Sequence, residues 1–144
     1  MAAIRAGQLG LKTLCIEKSS CLGGTCLNVG CIPSKALLQA TEYYSLMQKG
    51  AEKFGIVCDS VSIDFGRMMK RKEEVISGFN KGIEGLFKKN RVTRMLGKAR
   101  ITGPTEIVVE DSGEQKTVQA KNILLATGSV PVSLPFVPRR VPRA

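Results

Sequence analysis

Cys26 and Cys31 stand with four residues between them in the run GGTCLNVGCIPSK, residues 23–35, with a glycine pair ahead of them and Pro-Ser-Lys behind. That pattern suits a dithiol that opens and closes as a disulfide. The two sulfurs must come within about 2 Å of each other when oxidised, on a backbone that permits a short loop. Four intervening residues, with Gly30 beside the second cysteine, can fold as the first, distorted turn of a helix. Pro33 fits such a turn, where a missing N–H costs little. Gly23 and Gly24 let the backbone approach a flat or phosphorylated ligand with no Cβ in the way. Lys35, one turn beyond Cys31, places a cation where it favours a thiolate or a reduced, anionic ring.

Other readings of a cysteine pair are two buried thiols, a structural bridge or half of a zinc site. Zinc fits poorly, because C-x2-C pairs are absent and the chain has no histidine. The flanking glycines and Pro-Ser-Lys favour the redox reading over the rest.

The surrounding pattern supplies the elements that must position this loop. Residues 2–10 read as the last turns of a helix, with Gly10 as its stop. A strand is expected over 11–16, with Leu14 and Ile16 on one face and Thr13 and Cys15 on the other. Glu17 ends it, and in a dinucleotide fold an acid at this place accepts hydrogen bonds from the adenosine ribose hydroxyls. A helix is expected over 32–47, with Leu37, Leu38, Thr41 and Tyr44 near one side and Gly50 as its end. Asp64 is placed to cap the next helix, 65–89. There Phe65, Met68, Met69, Ile76, Phe79, Ile83, Leu86 and Phe87 recur near helical spacing as a packing stripe. Gly78, Gly82 and Gly85 weaken that helix by roughly 1 kcal/mol each relative to alanine, so close packing is their expected use. Short strands are expected over 92–96, 98–101, 106–110, 116–119 and 122–126, with residues 111–114 as a hairpin turn. Gly97 alone reads as a bulge glycine. Thr127, Gly128 and Ser129 alone read as the turn that ends a buried-looking Ile-Leu-Leu-Ala strand.

The cysteine segment resembles the active-site signature of the flavoprotein disulfide reductases. Its ending, Ile32 to Lys35, resembles the dihydrolipoamide dehydrogenase branch more than the glutathione reductase branch. Residues 2–10 resemble the end of that family's first helix, LKTLCIEK its second strand, and ILLATGS its later flavin-contacting strand and turn, so the similarity spans residues 1–137. The resemblance implies an α/β chain: an incomplete Rossmann-like FAD-binding domain with an inserted helix pair and a small antiparallel β segment. It implies Cys26 as the sulfur that forms the mixed disulfide with substrate and Cys31 as the one against the flavin. It also implies FAD contacts at Glu17, Gly24, Thr25, Cys26, Lys35, Gly97, Thr127, Gly128 and Ser129. Glu17 lies nine residues before Cys26, as the family's ribose acid does. The implied reaction is oxidation of dihydrolipoyl groups, with electrons passing through the disulfide and FAD to NAD. Implied partners are a second identical subunit, the 2-oxo acid dehydrogenase complexes and the glycine cleavage system. Location follows the family: mitochondrial matrix in a eukaryote, cytoplasm in a bacterium.

The family's Gly-x-Gly-x-x-Gly turn, its NAD domain and its interface domain with a His-Glu acid/base pair have no counterpart in these residues. The expectation is a fragment without substantial lipoamide:NAD turnover by itself. The alternatives are a non-catalytic fragment that binds intact subunits, or a flavin-free thiol–disulfide protein.

Composition narrows the remaining classes. A hydrophobic share of 43% and a charged share of 24% are those of a soluble globular chain. No apolar run reaches the roughly 18–20 residues that span a bilayer, and the start does not read as a signal peptide. An odd count of 5 cysteines argues against a purely structural disulfide framework. The net charge of +10 raises nucleic acid as a partner. No recognition motif accompanies the basic runs, and those around Lys70 and Lys88 fall on an expected helix and its end, where cations suit the dipole, so that class is disfavoured. Residues 138–144, rich in proline and arginine, read as a disordered basic tail.

Overall fold

The computed structural model describes residues 1–130, 132 and 136, so the expected basic tail lies outside the described residues. The element order is α1 (Ala2–Gln8), β1 (Leu14–Glu17), α2 (Gly24–Asn28), α3 (Cys31–Lys49), α4 (Phe65–Lys89), β2 (Thr93–Leu96), β3 (Lys98–Ile101), β4 (Glu106–Asp111) and β5 (Glu114–Gln119), with a 3-10 turn at Glu52–Phe54 between α3 and α4. Helices and strands are therefore mixed, as expected of an α/β chain.

β1 and β2 pair in parallel, with Leu14 opposite Thr93 and Glu17 opposite Leu96. Parallel neighbours cannot be joined by a tight turn and need a crossover. Here the crossover is the whole run of α2, α3 and α4. It closes over a small core of Ile4, Leu22, Phe87 and Val92, against which Ala3, Cys15 and Ile83 pack. Gly7 lets α1 come close: a Cβ there would fall 2.5 Å from the Asn90 carbonyl oxygen and 3.0 Å from Val92 Cγ2.

The longest helix has the ends that its sequence signals. Asp64 Oδ1 accepts from the Arg67 N–H at 3.0 Å, the N-cap bond, and α4 then runs to Lys89. α3 likewise stops at Gly50, whose N–H donates to the Leu46 carbonyl. The inward stripes are narrower than expected. Leu38 and Thr41 of α3 face solvent, as do Phe65, Phe79 and Leu86 of α4. Phe79 and Leu86 each precede a residue of the packed face, Asn80 and Phe87, and one helical step turns them away by about 100°. Among the described residues nothing lies within 4 Å of a Cβ built on Gly78, Gly82 or Gly85, so no described neighbour uses the space these glycines leave.

A second sheet, β3-β4-β5, is antiparallel and buries Ile107 and Val109. Its hairpin turns at Ser112 and Gly113, with φ of 49° and 87°, the two positive values that suit a tight right-twisted hairpin. Gly97 joins the two sheets at φ 142°. A Cβ on it would lie 2.7 Å from both the Glu110 carbonyl oxygen and Val109 Cγ1. Its backbone conformation and its packing against β4 both demand glycine.

Two strand expectations are corrected. β1 begins at Leu14 rather than at residue 11, because pairing with β2 begins there. Residues 122–126 form no strand: after the Ala120 N–H donates to the Thr105 carbonyl at 2.8 Å, no partner strand continues among the described residues. Leu124 and Leu125 are 73% and 68% exposed rather than buried. No helix among the described residues is long and apolar enough to cross a membrane.

Gly97→Ala should lower the urea midpoint well beyond Gly113→Ala. Both replace a positive-φ glycine, which costs more than about 1 kcal/mol, but only position 97 adds a collision with backbone. Equal losses in chemical denaturation would contradict this account of the junction.

Candidate functional site

The C-terminal end of β1 brings two expected site residues together. The Gly97 N–H donates to the Glu17 carbonyl at 3.0 Å, continuing the parallel pairing by one step. The Glu17 side chain turns back, and its Oε1 accepts from the Ser19 N–H at 2.9 Å. Arg94, opposite Cys15 in the register, grips the same segment from β2. Its Nη2 donates to the Ser19 and Ser20 carbonyls at 3.2 and 2.6 Å, and its Nη1 lies 3.5 Å from Glu84 on α4. The Arg94 Nε is buried without a partner among the described residues.

Buried Leu22 then leads the chain to Gly23 and Gly24, at φ 103° and 67°. The two glycines differ in purpose. A Cβ on Gly23 would collide with the Leu27 side chain, whereas one on Gly24 would meet nothing within 4 Å. Gly23 is needed by the turn itself, and Gly24 leaves open space beside the first cysteine.

The expected single distorted turn is instead a break between two helices. Cys26 lies in α2 and Cys31 is the first residue of α3, with Val29 and Gly30 between the helices. A Cβ on Gly30 would lie 3.3 Å from the Thr25 carbonyl oxygen and 3.6 Å from Cys26 Cα, so the missing side chain lets α3 close onto α2. The Ser34 N–H makes a helical bond to the Gly30 carbonyl at 3.1 Å. Pro33 precedes it, where an N–H would have no helical partner.

All 5 cysteines are free thiols, with Cys15 partly buried and Cys21, Cys26, Cys31 and Cys58 exposed. The neighbouring Cys31 thiol pushes the Cys26 pKa above the ordinary cysteine value, while the Lys35 ammonium pulls the other way. Cys31 and Lys35 thus both bear on Cys26. Cys21 has the same four-residue separation from Cys26, yet it is not among the groups that shift it. Burial pushes the Cys15 pKa up, with the Glu17 carboxylate adding to the effect, so this thiol is held in its unreactive form.

Thr25 is exposed beside Cys26. Thr127, Gly128 and Ser129 are also exposed but lie on the unpaired stretch after residue 121, and no hydrogen bond among the described residues joins them to either group. No cluster of three or more His, Cys, Asp or Glu suited to a metal ion occurs among the described residues. A shallow hollow lined by Leu38, Thr41, Glu42 and Leu46 lies along the C-terminal half of α3, away from the cysteines. The grip of Arg94 on the Ser19 and Ser20 carbonyls and the 2.9 Å bond from Asn80 Nδ2 to Asn28 Oδ1 are contacts that the motif does not reveal. Only Asn80 carries a signal in the sequence, as a polar residue within the stripe Ile76, Ile83, Phe87.

The family model described as pyridine nucleotide-disulphide oxidoreductase matches residues 1–140. The chain is 51% identical over 138 residues to the mitochondrial dihydrolipoyl dehydrogenase of Dictyostelium discoideum, covering 95% of this chain and 28% of that protein. It is 49% identical over 138 residues to the leghemoglobin reductase of Vigna unguiculata, covering 95% and 26%. With dihydrolipoyl dehydrogenase 3 of Pseudomonas putida it shares 48% over 139 residues, covering 94% and 29%. The chain thus spans between 26% and 29% of the length of these relatives.

The Cys26 shift gives a signed pH prediction. In the dithiol form its alkylation by iodoacetamide should have a midpoint above that of an ordinary cysteine. Cys31→Ala should lower the midpoint and Lys35→Ala should raise it. A midpoint unmoved by Cys31→Ala would mean that the two thiols do not interact.

Proposed function

The chain belongs to the pyridine nucleotide-disulphide oxidoreductase family, and we propose that it carries the dithiol and flavin-contacting part of a dihydrolipoyl dehydrogenase, with Cys26 and Cys31 as the redox pair. The observation that carries this reading is the glycine-permitted break that sets Cys26 on α2 and Cys31 at the first residue of α3, where Gly30 lets the two helices close together. On this reading residues 1–137 are part of a Rossmann-like FAD-binding domain, and the parallel β1/β2 pair with a helical crossover is what such a domain requires.

The residues present fit FAD in two places. Glu17 stands at the end of a parallel strand where ribose hydroxyls bind in dinucleotide folds, with its Oε2 uncommitted to any hydrogen bond among the described residues. Gly24 has open space where a side chain would be, next to exposed Thr25 and Cys26. Lys35 would face the anionic reduced ring from α3, and Thr127, Gly128 and Ser129 would approach it from the later turn. Gly97 supports the reading less, since its own packing already requires glycine. FAD, when bound, supplies a two-electron acceptor that can hand hydride to NAD.

The chain's part of the chemistry is thiol–disulfide exchange. A dihydrolipoyl thiolate attacks the Cys26 sulfur of the disulfide, a substrate–Cys26 bond forms, and Cys31 leaves as thiolate. The second substrate thiolate then attacks the substrate sulfur of that mixed disulfide, closing the lipoyl ring and releasing Cys26. The pair of electrons now resides in the two thiols. Cys31, at the first residue of a 19-residue helix, stands at the end whose dipole favours negative charge. These residues include no histidine, so the base that generates the substrate thiolate comes from outside them. The chain by itself therefore exchanges disulfides without lipoamide:NAD turnover.

Relatives named dihydrolipoyl dehydrogenase and leghemoglobin reductase match this region at 49% alike. The region thus supports the shared dithiol half and does not choose the electron acceptor. The partners proposed with this reading are a second subunit and the complexes that carry lipoyl groups. The mitochondrial names of several relatives support a mitochondrial location in a eukaryote, with the matrix as the proposed compartment, and the cytoplasm is the proposed location in a bacterium.

The test is the visible spectrum of the chain after incubation with FAD and desalting, before and after dihydrolipoamide. Retained flavin with long-wavelength absorbance that appears on reduction, is lost in Cys31→Ser and is already present before reduction in Cys26→Ser, is the expected result. Glu17→Ala should weaken FAD retention by about tenfold or more, since hydrogen bonds to a charged group contribute about 1.5–3 kcal/mol. A chain that exchanges with dihydrolipoamide yet stays colourless would replace the flavoprotein reading with the flavin-free one.

A further inference from the structure

Asn28 lies between the two cysteines, and its carboxamide is fully used. Nδ2 donates to the Leu22 carbonyl at 2.9 Å and to the Gly24 carbonyl at 2.9 Å. Those two bonds fold the glycine turn back onto the end of α2. They also fix the orientation of the amide, so Oδ1 must point the other way, toward α4. There it accepts from Asn80 Nδ2 at 2.9 Å, and the second Asn80 hydrogen goes to the Ile76 carbonyl at 3.2 Å. The result is one directed chain from α4 through the cysteine segment to the glycine turn.

Asn80 is an uneconomical choice if its purpose is packing alone. It interrupts an apolar face formed by Ile76, Ile83 and Phe87, and its Oδ1 is buried with no hydrogen-bond partner among the described residues. A buried acceptor left unpaired is a net cost. A leucine would fill the same stripe without it. What leucine cannot do is donate to Asn28. Because Cys26 rides on α2 and Cys31 on α3, with a break between them, anchoring α2 to α4 fixes where one sulfur stands relative to the other.

We propose that Asn80, acting through Asn28, is a positioning residue that latches the Cys26 helix to α4 and keeps the two sulfurs at bonding range. The inference rests on the redox reading of the pair. Its consequence is thermodynamic: the latch raises the effective concentration of one thiol at the other and so stabilises the disulfide. Asn80 touches neither sulfur, and its influence runs entirely through the position of α2.

The experiment equilibrates the 144-residue chain in oxidised and reduced glutathione. The reaction takes two protein thiols and one glutathione disulfide to one protein disulfide and two glutathione thiols. Acid quenching, alkylation and peptide mass spectrometry then give the equilibrium constant for the Cys26–Cys31 bond. Asn80→Leu should lower that constant about tenfold, equivalent to about 30 mV for a two-electron couple, with an unchanged or higher thermal midpoint. Ile83→Val, on the same helix face but outside the amide chain, should lower the thermal midpoint and leave the constant alone. If Asn80→Leu does not fold, Asn80→Ala is judged by the same constant. A wild-type constant in the folded Asn80 variant overturns the latch while leaving the redox pair standing. Wild-type chain that forms no Cys26–Cys31 bond in any buffer overturns both.

Discussion

The parallel pairing of β1 with β2 is the constraint on which the rest of this structure depends. Two parallel neighbours cannot be joined by a hairpin, so everything from Glu17 to Thr93 must leave the sheet and return on one side of it. The cysteine segment, both long helices and the asparagine chain all belong to that excursion. The pairing ends where the Gly97 N–H donates to the Glu17 carbonyl, which joins the backbone of the residue expected at a ribose to the glycine that redirects the chain into the second sheet. Arg94 adds a tie across the strands, holding the Ser19 and Ser20 carbonyls from β2 and meeting Glu84 on α4. Sheet, loop and helix are thus fastened at one residue before the glycine turn begins.

Within the excursion, absent side chains do as much as present ones. Gly23 permits a turn that a side chain would block against Leu27, and Gly30 lets α3 close onto α2. Between them they set the helix that Cys31 begins against the helix that holds Cys26. The core beneath is small: Ile4, Leu22, Phe87 and Val92 carry it. Many large apolar side chains stay exposed, Leu124 and Leu125 among them. With so thin a core, the site's geometry rests on local hydrogen bonds and glycine-permitted contacts more than on bulk burial.

The parts legible in the sequence are those governed by local chemistry. Asp64 before a periodic run, Gly50 after another, and Ser-Gly between two extended stretches each act within a few residues, and the structure places the cap, the stop and the hairpin there. The cysteine motif is likewise a local pattern, and the structure sets its two cysteines on either side of a helix break. Long-range partners decide the rest. Residues 122–126 have strand composition but no neighbour to pair with among the described residues. Phe79 and Leu86 follow the helical period too loosely for the sequence to say which side of α4 would be covered. The bond between Asn28 and Asn80 spans 52 residues of sequence, and only the polar interruption of the α4 stripe hinted at it. Gly97 shows the opposite case: a resemblance points to a ligand at a position whose glycine is already required by contact with β4.

The central claim is that Cys26 has one redox partner and that this partner is Cys31. Mild oxidation of the folded chain with oxidised glutathione, followed by digestion without reduction and mass mapping of linked peptides, tests it most directly. The account predicts a dominant Cys26–Cys31 bond, with Cys15, Cys21 and Cys58 remaining as free thiols. A dominant Cys21–Cys26 bond, or an indiscriminate mixture, would contradict it.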